Sequence, residues 1–153
     1  MTNLRINQIS ISKKIQDIID SLPKVGHVNI TKDGFSCLDV DDQFIHRVQP
    51  LLDDTSTVKP NYFDEATHFI GAHISITYPE EGGILDNSEL GQLIPFEING
   101  LFSAELFGKK YYVLGVEAPD LIILRRRYGL SHKLQLEGHW VDLHMTVAVA
   151  GYC

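Results

Sequence analysis

Two short segments of the sequence place a hydroxyl side chain two residues after a histidine. His73 is followed by Ser75, and His144 is followed by Thr146. In both segments apolar residues alternate with polar ones, which is typical of a β-strand with one buried face. We therefore expect each histidine to share a strand face with its hydroxyl partner, opposite the buried apolar side chains.

The residue types in these segments suit acid–base chemistry on a phosphate. An imidazole has an unperturbed pKa of about 6.5, so it can give or take a proton near neutral pH. A hydroxyl group can donate a hydrogen bond to a phosphate oxygen. If the segments face each other, one neutral histidine can take a proton from water while the other, protonated, donates one to the leaving oxygen. This set predicts phosphodiester hydrolysis without a metal or other cofactor.

Chance offers a simpler explanation of the pattern. The sequence has seven histidines, so roughly one match to His-x-Ser/Thr is expected by composition alone. Two matches, both inside alternating apolar segments, favour a shared function. The alternative that remains is that both segments are polar positions on the solvated faces of two strands.

The rest of the sequence predicts the elements that must hold these segments. Apolar residues at helical spacing indicate three short helices, and Pro23, Pro50 and Gly129 mark where they should end or bend. The predicted helices span 12–22, 44–52 and 121–128, and the predicted strands span 27–30, 35–40, 69–78, 96–98, 104–107, 110–117, 133–137 and 142–150. Such a strand-rich pattern favours an α+β fold with a bent, mostly antiparallel sheet covered by helices.

Composition bounds the class of protein. The 153 residues are 44% hydrophobic and carry a formal net charge of −7. This length predicts a single domain over 1–153 with its own core. The acidic balance argues against a nucleic-acid coat or a membrane-surface protein, because both need a cationic face. We expect a small nucleotide or an RNA terminus as the partner, and the sequence leaves the oligomeric state open.

Other patterns bear on location and on metal binding. The sequence has no run of about 18 apolar residues, no signal-peptide core and too few cysteines for a disulfide scaffold, so a soluble, cytoplasmic protein is expected. His132, His139 and His144 are seven and five positions apart, which does not match a helical metal-ligand pair. We therefore expect no metal site.

The two motifs and the order of the segments around them resemble the 2H phosphoesterase superfamily, whose members carry two His-x-Thr/Ser motifs on paired strands. Strands at 95–98 and 111–116 and a helix beginning near Leu121 lie between the motifs, as in that family. The resemblance implies a bilobal α+β fold with pseudo-twofold symmetry around a central cleft. It also implies metal-independent cleavage of a phosphodiester, often in 2′,3′-cyclic, 2′,5′-linked or other RNA-derived substrates.

The resemblance assigns roles by position. It implies that His73 and His144 are the catalytic acid–base pair and that Ser75 and Thr146 bind the substrate phosphate. The motif leaves open which histidine is the base. A basic residue often follows the second motif in the family, whereas the segment 147–151 carries none. This departure keeps a rival function open, a non-catalytic module that binds a nucleotide or a phosphorylated ligand in the same cleft.

Two tyrosines are candidate substrate contacts. Tyr78 follows the first motif, and Tyr112 lies on the strand expected to neighbour the motif strands. Each is alternatively a partly buried core residue. The basic run Arg125–Arg127 could steer an anionic substrate, although a solvated helix face is the more common role of such a run.

Overall fold

The computed structural model describes residues 4–31, 34–60, 71–106, 108–136 and 138–151. The strands in these residues are β1 (Arg5–Ile9), β2 (Val25–Ile30), β3 (Ser36–Asp39), β4 (His73–Thr77), β5 (Leu93–Pro95), β6 (Glu97–Leu106), β7 (Lys109–Glu117), β8 (Leu134–Leu136), β9 (His139–Val141) and β10 (His144–Gly151). The α-helices are α1 (Lys13–Ser21), α2 (Gln43–Val48) and α3 (Pro119–Arg127), and short 3₁₀ helices span 49–51, 79–81 and 87–89.

Eight strands form one antiparallel sheet in the order β1-β6-β7-β10-β4-β3-β2-β5. The two motif strands, β4 and β10, are neighbours at its centre. Each is the innermost strand of a four-stranded half, so the sheet divides into two equal halves along the line between them. Strands β8 and β9 pair separately. The expected α+β fold with a mostly antiparallel sheet is thus confirmed.

The helices α1 and α2 cover the apolar side of this sheet. Ser12 caps α1 by accepting a hydrogen bond from the backbone N–H of Ile15 at 3.2 Å, as the capping pattern requires. Ile15, Ile18 and Ile19 are buried in the core, and α2 contacts both α1 and β10. This packing leaves the opposite side of the central strands for the motif residues.

Arg125 of α3 is buried in the core, so the solvated-face interpretation of the basic run is wrong for this residue. Its side chain is 0% exposed, while Arg126 and Arg127 are exposed. The guanidinium donates to the carbonyl of Ile76 in β4 and forms a two-pronged pair with the carboxylate of Glu81. Further hydrogen bonds run to backbone carbonyls of the 131–133 segment. Arg125 therefore ties the end of β4 to α3 and to the chain before β8.

Several elements differ from the predicted ones. β6 is one continuous strand rather than two, with a register shift between Ile98 and Gly100 that accommodates its small and polar residues. β1, β5 and β9 were not predicted, because they are short and carry little alternation. The predicted strand 69–78 begins at His73 in the structure, and its first two positions lie outside the described residues. In the described ranges, no helix combines the length and the apolar character that crossing a bilayer requires.

Candidate active site

The two motif strands meet at one directly paired position. Met145 of β10 lies opposite Ile74 of β4, and both side chains are fully buried. Because successive side chains of a strand point to opposite faces, the residues on either side of this pair point away from the core. The centre of the sheet therefore presents two positions from each strand to the same face.

Those four positions are the motif residues. By extension of the antiparallel register, His73 lies across from Thr146, and Ser75 lies across from His144. Facing residues of an antiparallel pair have Cβ atoms about 4.5–5.5 Å apart. All four side chains line one cleft of about 1000 Å³. Two imidazoles and two hydroxyls from distant parts of the chain thus share a small area of the cleft.

The two imidazole rings are oriented in the same way. Nδ1 of His73 lies 2.9 Å from the carbonyl oxygen of Gly71, and Nδ1 of His144 lies 2.8 Å from the carbonyl oxygen of Asp142. A carbonyl oxygen can only accept a hydrogen bond, so Nδ1 of each ring must carry the hydrogen. Nε2 is then the nitrogen that gains and loses a proton in each ring.

Burial lowers the pKa of both rings below the ordinary histidine value. For His73, burial is the main cause, the hydrogen bond to Gly71 and the carboxylate of Asp39 oppose it, and the charge of His144 lowers the pKa further. For His144, burial is again the main cause, and the carbonyl and carboxylate of Asp142 oppose it. The charge of His144 acts on His73, as expected for two rings that share one small area of the cleft.

Aromatic side chains surround the first motif. The ring of Phe35 meets the ring of His73 edge-on, with centroids 5.8 Å apart, and lies 6.0 Å from the ring of Tyr78. Tyr78 lines the cleft, as the candidate contact from the sequence should, and its phenol is hydrogen-bonded to Ser75. Burial raises the pKa of Tyr78, so its hydroxyl stays protonated at neutral pH. A protonated phenol beside Ser75 can itself donate a hydrogen bond to a bound anion.

Tyr112, the other candidate contact from the sequence, lies outside the cleft. Its buried side chain points to the opposite face of β7, where its hydroxyl donates to Oδ2 of Asp54 at 2.9 Å. The neighbouring Tyr111 lines the cleft instead. The reason is the register with β10, in which Thr146 lies opposite Val113, so Val113 and Tyr111 share the face of the motif residues. Only that register distinguishes the two tyrosines.

Gly115 makes room for an aromatic ring beside His144. It lies opposite His144 in the sheet, and a Cβ atom there would lie 2.8 Å from Cε2 of Phe102 and overlap the side-chain oxygen of Asn99. The ring of Phe102 therefore occupies the space that any larger residue at Gly115 would fill. Sequence analysis identified neither residue, because a glycine and a phenylalanine in separate strands give no local signal of their contact.

We expect Gly115→Ala to raise KM for a phosphodiester substrate several-fold while the protein stays folded. The new methyl group must displace the ring of Phe102 and the side-chain amide of Asn99, which both line the cleft, and both side-chain ends can move. Steady-state kinetics and thermal unfolding check this result. Gly151→Ala is the matched control, since a Cβ at that glycine of β10 meets nothing within 4 Å. An unchanged KM in Gly115→Ala would contradict the placement of Phe102.

Comparison with known proteins supports the identification made from the fold and the motifs. A family model described as "Swiss Army Knife, 2H phosphoesterase domain" matches residues 36–151, which include both motifs. The chain therefore belongs to this family of 2H phosphoesterase domains. No curated protein and no solved structure gives a significant match.

Proposed function

We propose that this protein is a metal-independent phosphodiesterase that uses His73 and His144 as its acid–base pair. The observation that carries the proposal is the pairing of β4 and β10, which brings both histidines and both hydroxyls onto one face of one cleft. Two proton-transfer groups and two hydrogen-bond donors meet the needs of phosphodiester hydrolysis. The family match supports phosphoesterase chemistry in general.

In the proposed reaction, the hydroxyls of Ser75 and Thr146 donate hydrogen bonds to the non-bridging oxygens of the phosphate. Nε2 of His73 takes a proton from water as the water oxygen forms its bond to phosphorus. The bond from phosphorus to the leaving oxygen breaks, and Nε2–H of His144 gives its proton to that oxygen. The negative charge of the bound diester favours the protonated ring that this step requires.

We assign the base role to His73 for two reasons. Its side chain is buried, with 9% of its surface exposed, and the charge of His144 adds to burial in lowering its pKa. A pKa held below the ordinary value keeps the ring neutral, which is the form that accepts a proton from water. Asp142 beside His144 supports the protonated form of that ring. The sequence motif alone left this assignment open.

A leaving-group comparison tests the assignment. With a 4-nitrophenyl ester, the leaving phenolate departs without protonation, so His144→Ala should lose much less activity than it does with an alkyl leaving group. His73→Ala should lose about the same activity with both substrates, because water must be deprotonated in each case. The measurement is kcat/KM for each variant on each ester. The reverse pattern would exchange the two roles.

A 2′,3′-cyclic or 2′,5′-linked nucleotide or an RNA terminus is the proposed substrate. The family resemblance supports it, and so do the rings of Phe35 and Tyr78, which lie beside the motif residues and can contact a nucleobase. The test is turnover of 2′,3′-cyclic nucleotides and 2′,5′-linked dinucleotides in an excess of chelator. No turnover of either set by the folded protein would count against this substrate class.

A non-catalytic nucleotide- or phosphate-binding module is the rival proposal. It is favoured by the carboxylates of Glu117 and Asp142, which line the cleft and repel a phosphate, and by the lack of a basic residue in the segment after Thr146. Titration calorimetry with the same nucleotides separates the two proposals. Stoichiometric binding without product formation would favour the module.

A further inference from the structure

The cleft extends well beyond the motif residues, and one of its extensions lies on a single face of the sheet. The face of the half-sheet formed by β10, β7, β6 and β1 continues from the motif residues towards the tip of the β6–β7 hairpin. We call this face the apolar trough and define it by the side chains that line the cleft there: Leu4, Ile6, Phe102, Ala104, Leu106, Tyr111, Val113 and Val149. Proton transfer at a phosphate does not require an apolar surface of this size.

The strand registers show that the trough starts at the motif. Thr146 lies opposite Val113, and Val113 lies opposite Phe102, so the first row of the trough includes a motif hydroxyl. The next row runs across all four strands: Val149, Tyr111, Ala104 and Ile6. The rows are consecutive on one face, so a ligand bound at the motif residues can continue into the trough without crossing a strand edge.

A register shift in β10 keeps the trough apolar next to the motif. The shift falls between Thr146 and Ala148, and it turns Val149 towards the trough and Ala148 into the core. The trough then ends at Lys109, whose exposed side chain lines the same cleft near the hairpin tip. Lys109 is four residues along β7 from Val113, which corresponds to about 13 Å.

Within the sheet, the row that passes through His73 turns polar on the other side, although Phe35 and Tyr78 also line the cleft. On the other side of His73, the same row continues through Asp39 to His27. Nε2 of His27 lies 3.4 Å from Oδ2 of Asp39, so that side of the row is polar. A substrate centred on the motif residues therefore meets polar side chains along the row through Asp39 and His27, and an extended apolar surface towards the tip of the β6–β7 hairpin.

Most side chains of the trough are accessible to solvent, and Leu106, at 6% exposed, is buried. In the second row, Ile6 is 55% exposed. The other three side chains of that row, Val149, Tyr111 and Ala104, are half-buried. Contiguous exposed apolar surface is costly in water and commonly marks a binding site. Ligand pockets are mostly lined by apolar side chains with a few polar groups that orient the ligand, and here the four motif residues are among those polar groups.

From these observations we propose that the substrate is a phosphodiester in which one ester oxygen carries an extended apolar chain, and that this chain lies in the trough. The proposal rests on the proposed phosphodiesterase function and assigns an alkyl phosphodiester to the same site, so it competes with the nucleotide and RNA-terminus substrates proposed above. The chain is long enough to cover about 13 Å from the phosphate, and it ends before Lys109. Each methylene group that enters the half-open trough should strengthen binding about two-fold.

Binding of two monoesters tests the trough without relying on turnover. Octyl phosphate and methyl phosphate carry the same anion and differ in the chain that would enter the trough. Titration calorimetry with the intact protein, with octyl phosphate kept below its micelle-forming concentration, should show octyl phosphate binding at least about ten-fold more tightly. Equal affinities would overturn the proposal.

A matched pair of variants locates the effect. Ile6→Asp puts a carboxylate in the second row of the trough, at an exposed position of β1. This variant should lose most of the preference for octyl phosphate. Asn7→Asp adds the same charge to the next residue of the same strand, on the other face, and should keep the preference. Loss of the preference in both variants, or in neither, would place the chain elsewhere.

Turnover separates failure of this proposal from failure of the proposed function. The wild-type protein should hydrolyse 4-nitrophenyl octyl phosphate with a higher kcat/KM than 4-nitrophenyl methyl phosphate. Equal turnover of the two diesters would support the phosphodiesterase and reject the trough. Preferential binding of octyl phosphate without turnover of either diester would support the trough and reject catalysis.

Discussion

Alanine at His73 or at His144 is expected to lower kcat/KM for a phosphodiester by about 10²- to 10⁴-fold each, the usual contribution of a proton-transfer group. The two rings lie on adjacent strands of one cleft, each with Nδ1 held by a backbone carbonyl. Removing either ring leaves one of the two proton transfers without a partner. Steady-state kinetics of the folded variants give the loss directly.

The double variant sharpens this prediction. If the two rings act in one reaction, His73→Ala/His144→Ala should lose little more activity than the more damaged single variant, because groups that work as a unit are not additive. His139→Ala is the control: this half-buried histidine lies on β9, in a separate two-stranded sheet. Retention of activity in both single variants would refute the acid–base assignment.

The pH dependence of kcat/KM should also show that His73 acts as the base. A base must be deprotonated to work, so activity rises as the pH increases through its pKa. Burial and the charge of His144 lower the pKa of His73, so this acidic limb of kcat/KM should lie below the ordinary histidine value of about 6.5. In His144→Ala, the same limb should move to higher pH, because the neighbouring positive charge is gone.

Arg125→Ala is expected to lower the free energy of unfolding by about 3–5 kcal/mol, the range for breaking a buried ion pair by removing one partner. The side chain of Glu81 is only 4% exposed. The variant would therefore leave its carboxylate buried without a counter-charge. It would also remove the donor to the carbonyl of Ile76 in β4. Urea unfolding of the variant and the wild type measures the difference.

Two further variants separate the ion pair from a general effect of changing α3. Arg126→Ala removes an exposed arginine from the same helix and should change the free energy of unfolding by less than about 0.5 kcal/mol. Arg125→Lys keeps the charge but loses the two-pronged geometry, so its stability should lie between those of the wild type and Arg125→Ala. A stability of Arg125→Ala close to that of the wild type would contradict the role given to this residue.

Much of the local structure was predictable because it depends on neighbouring residues. The capping serine and isoleucine spacing predicted α1, and the hairpin of β2 and β3 was predicted from its turn residues and flanking strands. The turn residues Lys32 and Asp33 themselves lie outside the described residues. Failures occurred where the local pattern was weak, as in the edge strands β1 and β5, whose pairing with a longer neighbour compensates for their short length.

In the candidate active site, too, the features that depend on neighbouring residues were predictable, and those that depend on strand pairing were not. Alternation within each motif strand was enough to place His73 with Ser75 and His144 with Thr146 on shared faces. It was not enough to choose between Tyr111 and Tyr112, because that choice depends on the register of β7 with β10 and on the shift after Thr146. Arg125 was misread for a similar reason: its partner Glu81 is 44 residues away, so nothing nearby in the chain marks the pair.

The amino-acid sequence was enough to identify the side chains that could transfer protons, the strand face that each one occupies, and the family to which the two motifs point. The adjacency of β4 and β10, the ring of Phe102 in the space left by Gly115, and the apolar trough beside the motif residues became visible only in the folded chain. The physical reason is that strand alternation is a property of consecutive residues. Pairing, register and the shape of a cleft arise from contacts between residues far apart in the chain, which no local pattern records.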